Sequence, residues 1–150
     1  MKIFIDADGC PVVKHTIRIA LKHKLHVMVV KNHSVHIENK NPEFVEVVTV
    51  DTSRDSADYY IANHLSPGDL VITQDYGLAA MVLAKRSVGM SQNGLLYTEF
   101  NIDQLLDRRH INQEMRRKHK KHNSKFKKRT EEDNRIFESA LEDYIKKQSK

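Results

Sequence analysis

The sequence predicts an α/β fold in which helices cover both faces of a mainly parallel sheet, giving three layers. Short runs of β-branched and aromatic residues, typical of buried strands, alternate with longer segments whose apolar residues recur at helical spacing. Acidic residues directly follow several of these runs, as they do where strands end at a ligand crevice. The 150 residues suffice for a domain with a buried core. The predicted order is strand, helix, strand, strand, helix, strand, helix, weak strand, helix, helix.

The first strand and helix place two carboxylates close together. Residues 3–5 (Ile-Phe-Ile) form a short buried strand that ends at Asp6, and Asp8 follows two residues later. Pro11 suits the first position of a helix because its φ is fixed and it lacks an N–H. Two acids this close repel each other unless a proton or a cation lies between them. The alternative is that both acids cap the helix and bind nothing.

The middle of the chain contains two strands and a helix with an acid on its inward face. Apolar runs at residues 25–30 and 44–50 predict the strands, with polar, turn-rich residues 31–43 between them. Residues 55–65 predict the helix, and helical spacing puts Asp58 at the top of its apolar stripe. Burying an acid without a partner is costly, so a metal or a hydrogen-bond partner is expected beside it.

A third acid follows the next strand. Residues 70–73 predict a buried strand, and Asp75 precedes a nearly all-apolar helix at residues 78–84. A single Asp at such a place is more often an N-cap than a ligand, which is the alternative here. Carboxylates at the ends of neighbouring strands nevertheless favour a site for a hard divalent cation, Mg²⁺ or Mn²⁺.

The last third of the chain predicts a weak strand and two helices. The weak strand covers residues 88–91, and Asn101 is expected to cap a helix over residues 102–109. Thr130 and the acids after it resemble a capping box that opens a final helix over residues 131–147. The apolar stripe of that helix should dock on the body, so the whole chain is expected to form one domain. The stripe comprises Ile136, Phe137, Ala140, Leu141, Tyr144 and Ile145.

Charge is unevenly distributed along the chain. The formal net charge of +5 divides into −3 for residues 1–107 and +8 for residues 108–150. Residues 108–130, the basic segment, contain eleven Lys or Arg and one acid, and we expect this segment to bind a phosphate backbone. A solvated face is the alternative. The candidate nucleic-acid contacts, two of them on the first helix, are Lys14, Arg18, Arg116, Arg117, Lys118, Lys120, Lys121, Lys125, Lys127, Lys128 and Arg129.

Composition excludes several classes of protein. No apolar run is long enough to span a membrane, and no basic-then-apolar leader is present, so no membrane partner is expected. The lone Cys10 excludes an internal disulfide and a thiolate zinc cage. These features predict a soluble cytoplasmic protein, and they leave the oligomeric state open.

Several stretches together resemble the bacterial YaiI/YqxD family, and the resemblance covers essentially the whole chain. These stretches are Asp-Ala-Asp-Gly-Cys-Pro-Val at 6–12, Asp-Ser-Ala-Asp-Tyr-Tyr-Ile at 55–61, Gly-Asp-Leu-Val-Ile-Thr-Gln-Asp at 68–75 with Leu-Ala at 78–79, Tyr-Thr at 97–98, and Glu-Asp-Asn-Arg-Ile-Phe at 132–137. The family is grouped with PIN-like folds and is functionally uncharacterised. The resemblance implies a PIN-type site whose candidate acids are Asp6, Asp8, Asp58 and Asp75, with Asp55 peripheral.

The chain also departs from the family pattern. Gly77 stands where a Pro is usual after the Asp-Tyr pair, and residues 91–94 (Ser-Gln-Asn-Gly) lack the Arg of the family's turn. Lys-rich residues 125–129 replace a Gly-Gly-Pro before the last helix. Because the acids are kept, we expect the contacts to phosphate to be redistributed into the basic segment.

The leading interpretation is a metal-dependent nuclease that acts on RNA or another nucleic acid. Asp6, Asp8 and Asp75 would hold one or two Mg²⁺ or Mn²⁺ ions. Asp58 would complete the site or orient the attacking water, and Lys14 or Arg18 would assist at the phosphate.

Two alternatives belong to other classes. The Asp-x-Asp-Gly motif also opens phosphatases of the haloacid dehalogenase type, with Asp6 as nucleophile and Asp8 as general acid. The downstream acidic motif and the cap of those enzymes are missing from this sequence. The other alternative is a non-catalytic RNA-binding or ribosome-associated protein that uses the basic segment.

Overall fold

The structure, a computed structural model, describes residues 1–34, 36–52, 56–118 and 128–149, and within residues 109–118 it describes the backbone alone. The elements follow in the predicted order. They are β1 (Ile3–Asp6), α1 (Val13–Lys22), β2 (Val27–Asn32), β3 (Val45–Val50), α2 (Ser56–His64), β4 (Leu70–Ile72), α3 (Tyr76–Ala84), β5 (Val88–Met90), α4 (Glu99–Lys118) and α5 (Glu131–Gln148).

The five strands form one parallel sheet in the order β3-β2-β1-β4-β5. In the central strand, Ile5 lies opposite Val29 of β2 and Ile72 of β4. The chain leaves β1 towards β2 and β3, and α2 then carries it back across to β4. The direction of winding therefore reverses between β1 and β4, and open α/β sheets bind ligands at the carboxyl ends of strands at such a point. The predicted three-layer α/β fold is confirmed, and it is consistent with a PIN-like arrangement.

Alternation along β1 divides the core between the two faces of the sheet. Ile3 and Ile5 face α1 and α5, where they join a cluster that includes Phe137. Phe4 faces α2 and α3 and joins a second cluster that includes Ile61. Because each of these side chains is fully buried, each stabilises the fold by about 1.5–3 kcal/mol. The central strand is thus held from both sides, which fixes the position of its carboxyl end.

Helix α5 docks on α1, as its apolar stripe predicts. Thr130 and Asp133 form the expected capping box at its start. Phe137, Leu141 and Ile145 are buried, but Ile136, expected on the same stripe, is 51% exposed. Pairs between the helices flank this contact, and they are His15 with Glu138, Arg18 with Glu138, Lys22 with Glu142 and His23 with Glu142.

Helix α4 differs from the prediction at both ends. It begins at Glu99 rather than at residue 102, because Thr98 and Asn101 cap each other. The Thr98 hydroxyl accepts from the Asn101 backbone N–H, and the side-chain Oδ1 of Asn101 accepts from the Thr98 backbone N–H. It continues to Lys118, so the basic segment begins inside a helix. None of the described helices is long and apolar enough to cross a membrane.

Candidate active site

A crevice of about 920 Å³ opens at the carboxyl ends of the strands. The four predicted acids all line it, joined by one that the sequence did not single out: the set is Asp6, Asp8, Asp51, Asp58 and Asp75. Among the described residues of the lining, none is Lys or Arg. We call this site the acidic crevice. The five carboxylates concentrate acidic groups in one crevice, which favours a cation there.

The fold explains how acids distant in sequence reach one crevice. Asp6 is the last residue of β1, and Asp75 follows β4, the strand paired with β1. Asp8 lies in the turn after β1, where Gly9 has a φ of +70° that residues with a side chain rarely adopt. Asp58 lies in the first turn of α2, above the buried Ile61. The topology of the sheet therefore brings these acids together.

The carboxyl group of Asp6 has a raised pKa. Burial, together with the nearby charges of Asp75 and Asp8, raises its pKa from 3.8 to about 6, although the hydrogen bond from Thr73 opposes this change. The Thr73 hydroxyl donates that bond to Asp6 Oδ2 at 2.9 Å. A cation in the crevice would offset both the burial and the repulsion.

Asp75 is the N-cap of α3. Its Oδ1 accepts hydrogen bonds from the N–H groups of Gly77 at 2.8 Å and Leu78 at 3.3 Å. The cap, which the sequence offered as the alternative, is confirmed. One of these bonds depends on Gly77, because a Pro at that position would have no N–H to donate. A carboxylate can cap a helix and contact a cation at once, so the cap leaves the candidate role open.

Asp8 does not cap the first helix. Its Oδ1 accepts a hydrogen bond from the Asn32 N–H at 3.2 Å, which ties the turn after β1 to the end of β2. The N-cap of α1 is Val12, and no side chain caps that helix. The interpretation of Asp6 and Asp8 as a pair of helix caps is therefore wrong.

Thr73 is a site residue that sequence reasoning missed. Besides donating to Asp6, its hydroxyl oxygen accepts from the Asp75 N–H at 3.0 Å. Its backbone carbonyl accepts from the buried hydroxyl of Tyr97 at 2.9 Å. Burial, with smaller contributions from Tyr76 and Asp75, raises the pKa of Tyr97 far above its ordinary value, so this hydroxyl stays protonated and donates. The available signal was a hydroxyl at the end of an otherwise apolar strand.

The donor chemistry of the acidic crevice suits Mg²⁺ or Mn²⁺, because carboxylate oxygens are the ligands these ions prefer. Within the described residues, however, no group of three or more His, Cys, Asp or Glu side chains is arranged to hold a metal ion. The acids share one crevice without forming a finished site. Binding an ion through three of them would require their side chains to move towards it.

Four of the predicted nucleic-acid contacts have described side chains, and these lie in different parts of the fold. Lys14 and Arg18 line a separate groove along α1, and Arg18 pairs with Glu138 at 2.7 Å. Lys128 is exposed. The side chains of the remaining candidates in the basic segment lie outside the described residues, as does Asp55: they are Arg116, Arg117, Lys118, Lys120, Lys121, Lys125 and Lys127.

Arg129 joins the start of α5 to the rim of the crevice. Its guanidinium donates to the Gln92 carbonyl at 2.7 Å, to Asn93 Oδ1 at 3.0 Å and to Asn134 Oδ1 at 2.7 Å. Gln92 itself lines the crevice and donates its N–H to Gln74 Oε1 at 2.9 Å. Arg129 thus supports the turn in which the family's Arg is missing.

Comparisons with known proteins agree on one family. The model of the uncharacterised YaiI/YqxD family matches residues 4–147. A UPF0178 protein of Alkaliphilus oremlandii is 50% identical over 147 residues, covering 97% of this chain and 91% of the relative. UPF0178 proteins of Natranaerobius thermophilus (42% identical, covering 97% and 96%) and Enterococcus faecalis (40% identical, covering 98% and 99%) are also similar. No solved structure is a significant match.

Proposed function

This chain belongs to the YaiI/YqxD family, and we propose that its acidic crevice is the active centre of a Mg²⁺- or Mn²⁺-dependent nuclease acting on RNA or another nucleic acid. The observation that supports this most is the convergence of Asp6, Asp8, Asp58 and Asp75 on one crevice at the carboxyl ends of the strands. Carboxylate oxygens gathered in one crevice are the ligands that a divalent metal prefers.

The acids have two roles in this proposal. Asp6, Asp8 and Asp75 contribute oxygen ligands, and Thr73 holds Asp6 in place by donating its hydroxyl hydrogen. Asp58, on the neighbouring helix, accepts a hydrogen bond from the attacking water and orients it towards the phosphorus. When bound, the metal lowers the pKa of that water and offsets the charge of the scissile phosphate.

A non-catalytic nucleic-acid-binding protein is the second candidate. The observation that favours it is the lack, among described residues, of three acids arranged to hold an ion. On this account the basic segment binds RNA, and the acidic crevice has no chemical task. The affinity of the protein for RNA would then be the same in EDTA and in Mn²⁺.

The test is cleavage of a labelled RNA by the purified chain in Mn²⁺, in Mg²⁺ and in EDTA. The nuclease proposal expects cleavage that EDTA abolishes and that Asp6→Asn or Asp75→Asn reduces by at least about a hundredfold, the scale typical of lost metal or electrostatic catalysis. Asp103→Asn is the matched control, since Asp103 is exposed on α4 and does not line the crevice. RNA binding without cleavage under every condition would favour the second candidate.

Hydrolysis of a small phosphate monoester, measured in parallel, separates the nuclease from the phosphatase alternative. A phosphatase with Asp6 as nucleophile would turn over the monoester and leave RNA intact. Cleavage of RNA without monoester turnover would reject it.

A further inference from the structure

Two tyrosines line the acidic crevice beside the carboxylates. Tyr59 on α2 directly follows Asp58 in sequence, and 61% of it is exposed although it lines the crevice. Tyr76, at the start of α3, directly follows Asp75. Each ring therefore comes from an element that also supplies a candidate acid.

The environment of Tyr59 differs from that of the tyrosine next to it. The Tyr60 ring stacks on His64 with 4.0 Å between ring centroids, and it packs against the core cluster on that face of the sheet. Tyr59 is turned away from this core and is left open to solvent. Single exposed aromatic residues are common on protein surfaces. An exposed ring inside a crevice lined by carboxylates is more specific, because it offers an apolar face beside the acids.

The Tyr76 ring packs against another ring, whereas the Tyr59 ring is exposed to solvent. Its ring forms a T-shaped pair with the Tyr97 ring, with 6.0 Å between centroids. Tyr97 is itself buried, and its hydroxyl donates to the Thr73 carbonyl. An aromatic pair in this orientation contributes beyond its buried area and restricts the ring. One aromatic surface of the crevice is therefore fixed, and the other is available.

We propose that Tyr59 stacks on an unpaired base of the substrate, so that the acidic crevice selects single strands over duplexes; this inference rests on the proposed function. Carboxylates repel the phosphates of any nucleic acid, whereas a neutral ring attracts the face of a base and is not opposed by those charges. The bases of a duplex are already stacked and paired, and their faces are not accessible to a side chain.

Binding of a labelled single-stranded RNA, and of a duplex of equal length, to the full chain in EDTA tests this inference. Tyr59→Ala should weaken single-strand binding about tenfold, within the range measured for loss of one stacked base. Tyr59→Phe, which keeps the ring, should stay within about twofold. Phe100→Ala is the matched control, because Phe100 is 82% exposed on α4 and does not line the crevice. The duplex should bind the wild type and Tyr59→Ala equally.

Each outcome bears on either the stacking or the function. Unchanged single-strand affinity in Tyr59→Ala, an equal loss for duplex and single strand, or no RNA binding by the wild type would each overturn the stacking inference. Cleavage in Mn²⁺ by the wild type, measured separately, judges the proposed function. If Tyr59→Ala weakens binding but the wild type does not cleave RNA, the nuclease proposal is overturned and the stacking inference stands. If the wild type cleaves RNA but Tyr59→Ala binds as well as the wild type, the stacking inference is overturned and the nuclease proposal stands.

Discussion

Asp6 occupies a position that costs the folded protein stability while no cation is bound. In the folded state its pKa is about 6, against 3.8 for the ordinary group, chiefly because it is buried. Between these two values the folded state binds more protons than the unfolded state. The free energy of unfolding should therefore fall as pH rises from about 4 to about 6, and this contribution should stay constant above pH 6.

Asp6→Asn should remove that cost. In EDTA at pH 7 we expect the variant to be more stable than the wild type by roughly 1–3 kcal/mol, and the pH dependence between 4 and 6 to be shallower. An Asn side chain retains an oxygen that can accept the hydrogen bond from Thr73. Urea unfolding at several pH values measures both effects, with Asp103→Asn as the control. A less stable variant at pH 7 would show that Asp6 has a structural role instead.

Thr73 connects two candidate acids through one hydroxyl. Thr73→Val keeps the shape of the side chain but leaves Asp6 without its donor and the Asp75 N–H without its acceptor. We expect a loss of roughly 1–3 kcal/mol of stability and a lower turnover of RNA in Mn²⁺. Thr73→Ser, which keeps the hydroxyl, should recover most of both. Equal activity in the Val and Ser variants would remove Thr73 from the site.

The acids and their local contacts were predictable from sequence, and the contacts between distant residues were not. Asp6, Asp8 and Asp75 lie at or just after the ends of strands, and parallel strands end at the same edge of a sheet. The apolar runs that predict the strands therefore also predict that these acids share one crevice. The bond from Tyr97 to Thr73 joins residues 24 positions apart through the pairing of β4 with β5, and no local pattern encodes it. The N-cap bonds of Asp75 were within reach of sequence because they are local.

Among the elements, α5 depends on a close approach to the turn after β5. Gly94 has a φ of +83°, and a Cβ built there would lie 2.7 Å from the Cβ of Ala140 on α5. Gly68 also has a positive φ, +90°, but a Cβ there would meet nothing within 4 Å. Substituting each glycine in turn therefore distinguishes the energetic cost of backbone strain from the cost of disturbing the docking of α5.

Gly94→Ala should cost more stability than Gly68→Ala. Both variants pay about 1–2 kcal/mol for the left-handed backbone. Only the Gly94 variant must also displace α5, and we expect it to lose a further 1–3 kcal/mol or so, as overpacked sites do. Thermal unfolding of the two variants gives the comparison. Equal losses would mean that α5 shifts away from the turn at no cost.

The order of elements was predictable, and the length of α4 was not. Alternating apolar runs identified each strand, because the strands of a parallel sheet are buried on both faces. The reciprocal cap of Thr98 and Asn101 moved the start of α4 three residues towards the N-terminus of the chain, and its polar second half gave no apolar stripe to follow. Likewise Ile136 fits the helical pattern of α5 but lies beyond the edge of the contact with α1.

Across the whole molecule, an acidic body is joined to a basic segment with eleven Lys or Arg. If these side chains hold an RNA backbone, affinity should fall with salt, with a slope of log K against log[salt] near −3.5 for about five phosphates of a single strand. Replacing Lys118, Lys120 and Lys121 together with Ala should weaken binding to all sequences alike and flatten the slope. Affinity that is constant across salt concentrations, or unchanged in the triple variant, would show that the basic segment is a solvated face that does not bind RNA.

The acidic crevice is proposed to bind a divalent cation through Asp6 and Asp75, and the thermal stability of the chain in Mn²⁺ tests this binding most directly. A ligand at a hundred times its Kd stabilises the folded state by about 2.7 kcal/mol, so we expect Mn²⁺ to raise the Tm of the wild type and of Asp103→Asn. The same Mn²⁺ should raise the Tm of Asp6→Asn and Asp75→Asn far less, although Asn caps α3 as well as Asp does. An equal rise in all four proteins, or none in the wild type, would contradict the claim.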